Sequence, residues 1–160
     1  GLSGVDGGLV QASRWSEELG MTGRPGETRP RLLRTLTSAG FLPVVACVAS
    51  DRFGNIYNVN ADQLAVSVAA GFAARRLVFL TDVDAVLDGN GKRVSDLNAV
   101  NCRNLIETGV AKGGMQAKLD ACLAALEAGL EEIWIGPGAR VQNSEDWKGA
   151  KEFGTRISNA

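Results

Sequence analysis

Short, unbroken apolar runs alternate along the chain with stretches whose apolar residues recur at helical spacing. The unbroken runs are Phe41–Val48, Leu77–Thr81 and Ile133–Ile135. Apolar runs without polar alternation are typical of strands that are buried on both faces, as in the centre of a parallel sheet. We therefore predict three central parallel strands, and Pro43 marks the start of the first.

Helical spacing between these runs predicts four helices. The first runs from Pro30 to Gly40, with Thr28 as a candidate cap. The second begins after a cap at Asn60 or Asp62, and the third after a cap at Asn98 or Asn101. The fourth follows the pair Gly113-Gly114. The last helix, Met115–Glu127, has the clearest inward face, formed by Met115, Leu119, Cys122, Leu123 and Leu126. Strands that alternate with helices indicate the α/β class, here a three-layer αβα sandwich with a mainly parallel sheet.

Shorter elements complete the predicted fold. We expect a short strand at Leu9–Ser13, an irregular hairpin or β-turn excursion over Trp15–Pro25, a turn at Asp51–Asn55, extended chain at Ile56–Val59 and an edge strand at Gly154–Ile157. No linker, repeat or low-complexity segment interrupts the sequence. Residues 1–160 are therefore expected to form a single domain.

Composition narrows the classes of function. The 160 residues include 17 Lys and Arg and 18 Asp and Glu, for a net charge of −1, and 45% of them are hydrophobic. This balance argues against a nucleic-acid binder, which usually has a basic excess, and against a disordered chain. No apolar run reaches the about 18 residues of a membrane span. Neither nucleic acid nor a membrane is therefore an expected partner.

The absence of histidine from the sequence excludes Ser-His-Asp and Cys-His catalysis and His-ligated zinc. We expect no protein-bound metal site. Cys47, Cys102 and Cys122 each lie in an apolar stretch without Cys-x-x-Cys spacing. They are expected to be buried, reduced thiols, which fits a reducing cytoplasm.

Ligands of α/β sheets bind beyond the carboxyl ends of the strands, which indicates Ala49–Asp51, Thr81–Asp84 and Gly136–Gly138. A further candidate site is the N-terminus of the last predicted helix, at Gly113-Gly114 and Lys118. Its unpaired N–H groups, dipole and nearby ammonium group would favour a polyphosphate. The alternative is an ordinary Gly-Gly loop and a solvated lysine.

A second candidate cluster lies between a strand and a helix. Alternation places Asn58 and Asn60 on one side of the strand end, and Asp62 follows at the helix start. Asp62 can cap that helix, or it can orient a cationic side chain beside a phosphate. Asn58 can bind a small carboxylate or carbonyl through its amide.

Seven stretches, in this order, cover essentially the whole chain: GLSGVDGG (Gly1–Gly8), ELGMTG (Glu18–Gly23), GFLPVVA (Gly40–Ala46), YNVNADQ (Tyr57–Gln63), LVFLTDVDAVLD (Leu77–Asp88), AKGGMQAK (Ala111–Lys118) and GTRI (Gly154–Ile157). Together they resemble the amino acid kinase family, and most closely its acetylglutamate kinases. The sequence departs from the family pattern at Val5, Ala85 and Ala117. The resemblance is to the carboxyl-terminal, nucleotide-binding half of the family's longer chains.

The resemblance implies a cytoplasmic enzyme that uses ATP, with Mg²⁺ carried by the nucleotide, to phosphorylate the γ-carboxylate of N-acetyl-L-glutamate. This is the second step of arginine biosynthesis. It implies that Lys118 neutralises charge on the transferred phosphoryl group, that Asp62 positions catalytic lysines, and that Asn58 binds the substrate's α-carboxylate. Nucleotide contacts are implied for Thr81, Asp82, Val83, Asp84, Ala85, Val86, Leu87, Val110, Ala111, Lys112, Gly113 and Gly114.

Two other functions stay open within the same resemblance. One is a related kinase, such as an aminoadipate kinase, and the other is a non-catalytic arginine-sensing domain. Because the family's amino-terminal half would be absent, the chain alone is expected to be a poor kinase. The intact enzyme is expected to be a homo-oligomer.

Overall fold

The computed structural model describes residues 1–141 and 153–159. The chain divides into two compact units, Gly1–Ala74 and Arg75–Ala160. Strands pair both in parallel and antiparallel fashion, and helices lie between them in the sequence. The α/β class is therefore confirmed, whereas the single domain over residues 1–160 stays a prediction.

The amino-terminal unit contains a small barrel and two helices. Its elements are β1 (Leu2–Ser3), β2 (Val10–Arg14), β3 (Thr22–Thr28), α1 (Arg31–Ser38), β4 (Val45–Ala46), β5 (Val48–Ser50), β6 (Ile56–Val59) and α2 (Ala61–Phe72). The barrel closes in the order β2-β3-β6-β5, while β1 and β4 form a separate parallel pair. β2 and β3 form an antiparallel hairpin, so the predicted strand at Leu9–Ser13 is its first strand and only part of Trp15–Pro25 belongs to its second strand. The barrel was not predicted, because its closure depends on pairings between strands that are distant in sequence.

The expected continuous strand over Phe41–Val48 is wrong. Only two short strands form in this region, and the preceding Phe41, Leu42 and Val44 are 65%, 88% and 66% exposed. Among the described residues, β4 pairs only with the two-residue β1. An apolar run shows that a strand would gain from burial, but burial also needs a covering partner, and these side chains remain on the surface.

The carboxyl-terminal unit is built on one four-stranded sheet. Its elements are β7 (Arg76–Thr81), β8 (Asp96–Leu97), α3 (Ala99–Glu107), α4 (Gly113–Glu127), β9 (Glu132–Pro137) and β10 (Thr155–Ser158). The strand order is β7-β9-β10-β8. β7 pairs with β9 and β8 pairs with β10 in parallel, while β9 and β10 are antiparallel. The sheet is therefore mixed, with two of these three pairings parallel.

Two strands have exchanged the positions that the sequence predicts. β10 was expected at an edge but lies between β9 and β8, whereas β7 was expected to be central and lies at the edge. Leu80 on β7 is accordingly exposed, while Ile133 and Ile135 on β9 are fully buried. In this sheet the sequence did not predict β8, because a strand of two residues is too short to give a pattern.

Asparagine side chains begin two of the helices, as predicted. The Asn60 side-chain oxygen accepts hydrogen bonds from the backbone N–H groups of Asp62 and Gln63 at 3.0 and 3.2 Å. The Asn98 side-chain oxygen accepts one from the Asn101 N–H at 2.9 Å. Each bond satisfies a helical N–H that has no partner within the helix. Thr28 is not a cap, because its hydroxyl bonds to that of Ser67 at 2.8 Å.

The expected inward face of α4 is largely confirmed. Leu119, Cys122 and Leu126 are buried, while Met115 and Leu123 are only partly buried. Cys102 is also buried, but Cys47 is half-buried, so the expectation of three buried thiols is wrong for that residue.

Among residues 1–141 and 153–159, none of the helices combines the length and hydropathy that a bilayer crossing requires.

Candidate functional site

The carboxyl ends of β7 and β9 lie level at one edge of the sheet. Thr81 is the register partner of Pro137, so the loops Thr81–Asp84 and Gly136–Gly138 leave the sheet side by side. This confirms the proximity that the parallel-sheet rule predicts for these two segments. Ala49–Asp51, the third predicted segment, belongs to the amino-terminal unit.

A cavity of about 390 Å³ lies close to this edge, within the carboxyl-terminal unit. Its ten lining residues are Val83, Ala85, Val86, Leu87, Asp88, Gly91, Val110, Ala111, Lys112 and Met115. For seven of these ten residues, the sequence predicts contact with a nucleotide. The two predicted segments, which are more than twenty residues apart in the chain, therefore meet in one cavity.

The lining of this cavity is mainly aliphatic, with few polar groups. Ala85, Val86 and Ala111 are buried, and Val110 and Leu87 are partly exposed. Asp88 and Lys112 contribute the charged groups. A concave, mostly apolar cavity of this size with a few polar groups is typical of small-molecule and cofactor sites, and its walls suit a planar ring.

One wall of the cavity is a short β-hairpin, residues 86–94, which we call the cavity hairpin. The Val94 N–H donates to the Val86 carbonyl at 2.9 Å, and Leu87 and Arg93 form an antiparallel bridge. The Asp88 carboxylate accepts the N–H groups of Asn90 and Lys92, both at 2.9 Å. Asp88 therefore shapes the turn of the cavity hairpin.

The N-terminus of α4 begins next to the cavity. Gly113 has φ of +55°, a conformation that favours glycine, while Gly114 has no such requirement. Lys112 precedes the helix in extended conformation and makes no side-chain capping bond. The positive end of the helix dipole therefore lies beside the cavity, where it would favour an anion.

Lys118 lies one turn into α4 and is half-buried. Its Nζ is 5.7 Å from the centroid of the Phe79 ring, close enough for an attractive cation–π contact. Phe79 lies two residues before the end of β7. The ammonium group is therefore held over the carboxyl-terminal part of β7, on the strand whose following loop lines the cavity.

Asn58 and Asp62, the other predicted catalytic or binding residues, lie in the amino-terminal unit. Along β6, Tyr57 and Val59 are buried while Asn58 is exposed, as alternation predicts. Asp62 is half-buried in the first turn of α2. Because Asn60 provides the cap, the alternative that Asp62 is the capping side chain is wrong.

The structure separates the predicted nucleotide residues into two groups. Thr81, Asp82, Asp84, Gly113 and Gly114 do not line the cavity. The Thr81 hydroxyl donates to the Asp82 carboxylate at 3.0 Å. Asp88, Gly91 and Met115 do line it and were missed. The Asp88-Gly89-Asn90-Gly91 turn signature could have predicted the hairpin, whereas helical spacing assigned Met115 to the core.

Among the described side chains, no cluster of three or more His, Cys, Asp and Glu is arranged to hold a metal ion. Asp82 and Asp84, in the loop that follows β7, flank the lining residue Val83 in the sequence, and Asp88 is itself a lining residue.

An ion pair ties the starts of β7 and β9 together. Partial burial raises the pKa of Glu132, but hydrogen bonds from Arg76 and Trp134 outweigh this effect and leave the pKa below its usual value. The Arg76 guanidinium lies 2.7 Å from one carboxylate oxygen, and the Trp134 indole N–H donates to the other at 2.8 Å. Charge-assisted bonds of this kind favour the ionised carboxylate.

This pKa shift predicts a pH-dependent contribution to stability. Because the folded-state pKa of Glu132 is lowered, its contribution is complete above the usual pKa near 4.5 and is lost as the pH falls through the folded value. We expect Glu132→Gln to lower the free energy of unfolding by about 1 kcal/mol at neutral pH and by much less at about pH 3. Urea denaturation at both pH values checks this, and a pH-independent loss would contradict it.

Residues 1–136 match the sequence profile described as the amino acid kinase family. The chain belongs to this family. An acetylglutamate kinase of Solibacter usitatus is 49% identical over 160 residues, which is the whole of this chain and 62% of that protein. An acetylglutamate kinase of Geobacillus kaustophilus is 45% identical over 139 residues, covering 86% of this chain and 54% of that protein.

A solved structure shares the fold over almost the full chain. The N-acetylglutamate synthase of Neisseria gonorrhoeae, in complex with coenzyme A and N-acetyl-glutamate, superposes with a TM-score of 0.84 at 25% identity. The match covers 99% of this chain and 37% of that one. The amino acid kinase fold is thereby confirmed.

The chain thus spans between about half and 62% of the length of these curated relatives. These matches give the share of each relative's length that the chain covers. They therefore do not support the expectation that the chain is the carboxyl-terminal half of those proteins.

Proposed function

We propose that this chain provides the ATP-binding part of an acetylglutamate kinase. The observation that carries the proposal is the cavity in which the two predicted nucleotide segments meet beside the N-terminus of α4. Its aliphatic walls suit the adenine ring, and the helix N-terminus suits the phosphates. Membership of the family and the acetylglutamate kinase relatives support the same assignment.

In the proposed reaction the γ-carboxylate of N-acetyl-L-glutamate attacks the γ-phosphorus of ATP, and ADP leaves. The carboxylate is already ionised at neutral pH, so no general base is needed. The catalytic task is to align two anions and to screen their repulsion. Lys118 would carry positive charge to the transferred phosphoryl group, Asp62 would orient cationic groups, and Asn58 would bind the α-carboxylate of the acceptor.

Nucleotide binding by the chain itself tests this proposal. We expect calorimetry with a non-hydrolysable Mg-ATP analogue to give a dissociation constant of about 1 mM, because part of the family's length is absent. Val110→Trp places an indole in the cavity mouth and is expected to weaken binding about tenfold or more. Val110 is partly exposed, so the protein should tolerate the change.

The matched control is Val100→Trp, which adds the same side chain at an exposed position of α3 that does not line the cavity. It should bind the analogue as the unchanged chain does. Absence of binding by the unchanged chain at millimolar ligand, or equal binding by both tryptophan variants, would count against this cavity as the ATP site.

A non-catalytic arginine-sensing domain is the second candidate. The observation that favours it is the similarity to a synthase structure over 99% of this chain. Retention of Lys118 and Asp62 favours the kinase instead, since sensing domains have no need of them. Calorimetry with L-arginine separates the two: arginine binding without nucleotide binding would support the sensor.

The remaining parts of the proposal concern the whole protein. We propose that it acts in the cytoplasm as a homo-oligomer and takes N-acetyl-L-glutamate in preference to other acyl amino acids, including aminoadipate derivatives. A substrate panel, assayed on a chimera that adds the part of the Solibacter usitatus relative not covered by this chain, tests the preference.

A further inference from the structure

One fully buried polar side chain in the carboxyl-terminal unit is not explained by the fold alone. Thr155, on β10, has no exposed surface, although its neighbours on the same face of the sheet are apolar. A buried hydroxyl is costly unless it is hydrogen-bonded on both its donor and acceptor sides. In the sequence, Thr155 lies in the GTRI stretch of the family resemblance, which implies no role for it.

The hydroxyl of Thr155 is bonded to both ends of the cavity hairpin. It accepts the backbone N–H of Val86 at 2.9 Å and donates to the carbonyl of Val94 at 2.6 Å. Val94 in turn donates its N–H to the Val86 carbonyl at 2.9 Å. The three groups form a closed ring of hydrogen bonds at the base of the hairpin.

Two other bonds tie the second strand of the hairpin and the residue after it to β10. The Arg93 guanidinium donates to the Gly154 carbonyl at 3.3 Å, and the Arg156 N–H donates to the Ser95 carbonyl at 2.8 Å. The bond to Val86 differs because it fixes the first strand, which contributes Val86 and Leu87 to the cavity wall. Thr155 thus links that wall to the interior of the sheet.

We propose that Thr155 is a positioning residue for the nucleotide site: its hydroxyl holds the cavity hairpin at the distance from α4 that the ligand requires. This inference rests on the proposed function of the cavity. Removing the hydroxyl leaves a backbone N–H and a carbonyl without their buried partner, so the hairpin base loosens and the cavity loses its shape. Thr155 acts through the hairpin and does not itself line the cavity.

The test compares Thr155→Val, which keeps the shape and loses the hydroxyl, with Thr155→Ser, which keeps the hydroxyl. Ile157→Val is the control, because it trims a buried side chain on the same face of β10. We measure the hydrogen-exchange rate of the Val86 amide relative to that of Ile133, together with the affinity for the Mg-ATP analogue. The relative rate separates local opening from loss of global stability.

We expect Thr155→Val to raise the relative exchange rate at Val86 about tenfold or more and to weaken analogue binding about tenfold. Thr155→Ser should restore both, and Ile157→Val should change neither. Unchanged exchange in Thr155→Val, or unchanged affinity where the parent chain binds, would overturn the inference. If the parent chain binds no nucleotide, the proposed function fails, and the exchange result alone decides whether Thr155 holds the hairpin.

Discussion

Replacing Lys118 with alanine is expected to lower kcat by about 100-fold or more. In sites that stabilise developing negative charge, the loss of one pre-positioned donor costs about 3 kcal/mol of transition-state stabilisation. Lys118 is half-buried, and its ammonium group lies over the carboxyl-terminal part of β7, 5.7 Å from the centroid of the Phe79 ring. The assay uses the chimera completed from the Solibacter usitatus relative.

Two variants make this result specific to the charge at Lys118. Lys118→Met keeps an unbranched apolar side chain of similar length but removes the charge, so it should lose activity as Lys118→Ala does. Arg103→Ala removes an exposed cation of α3 that pairs with Glu127 at 3.6 Å, and it should keep the parental kcat. A near-parental kcat in Lys118→Met would exclude Lys118 from the chemistry.

The largest expected loss of stability is that of Gly154→Ala. A Cβ at Gly154 would overlap the carbonyl oxygen of Ile135 and lie 2.8 Å from the Cα of Gly136. Both contacts are with the backbone of β9, which is central in the sheet and cannot move without disturbing β7. We expect the free energy of unfolding to fall by about 3 kcal/mol or more, as in overpacked cores.

The matched control is Gly114→Ala, where an added Cβ meets nothing within 4 Å and φ is not positive. Alanine is a better helix former than glycine, so this variant should be as stable as the parent or slightly more stable. Urea denaturation of the two variants measures the difference. Equal midpoints would contradict a close approach of Gly154 to the backbone of β9.

Local signals in the sequence predicted the elements that depend on local chemistry. Asn60 and Asn98 were identified as candidate caps, because a cap needs only its own side chain and the next two or three N–H groups. The buried strand at Ile133–Ile135 and the face of α4 followed from hydrophobic spacing. The strand-end rule indicated Thr81–Asp84, and the family resemblance extended this segment to Leu87 and added Val110–Gly114; parts of both segments line one cavity.

Elements that depend on distant partners were not predictable in this way. The sequence cannot tell which strand lies at an edge, and so β7 and β10 were placed the wrong way round. It predicted a buried strand at Phe41–Val48, where most of the apolar side chains find no cover among the described residues. Thr155 gave no signal, because a threonine in a strand is unremarkable until the partners of its hydroxyl are known.

The three cysteines differ in a way that gives the protein a built-in reporter of unfolding. Burial raises the pKa of the Cys102 thiol to about 11, and Cys122 is fully buried, whereas Cys47 is half-buried. Since the thiolate is the reactive form, an alkylating reagent should modify Cys47 first and reach the other two only when the carboxyl-terminal unit opens. Counting adducts by mass spectrometry therefore distinguishes an intact sheet from an opened one without an added dye.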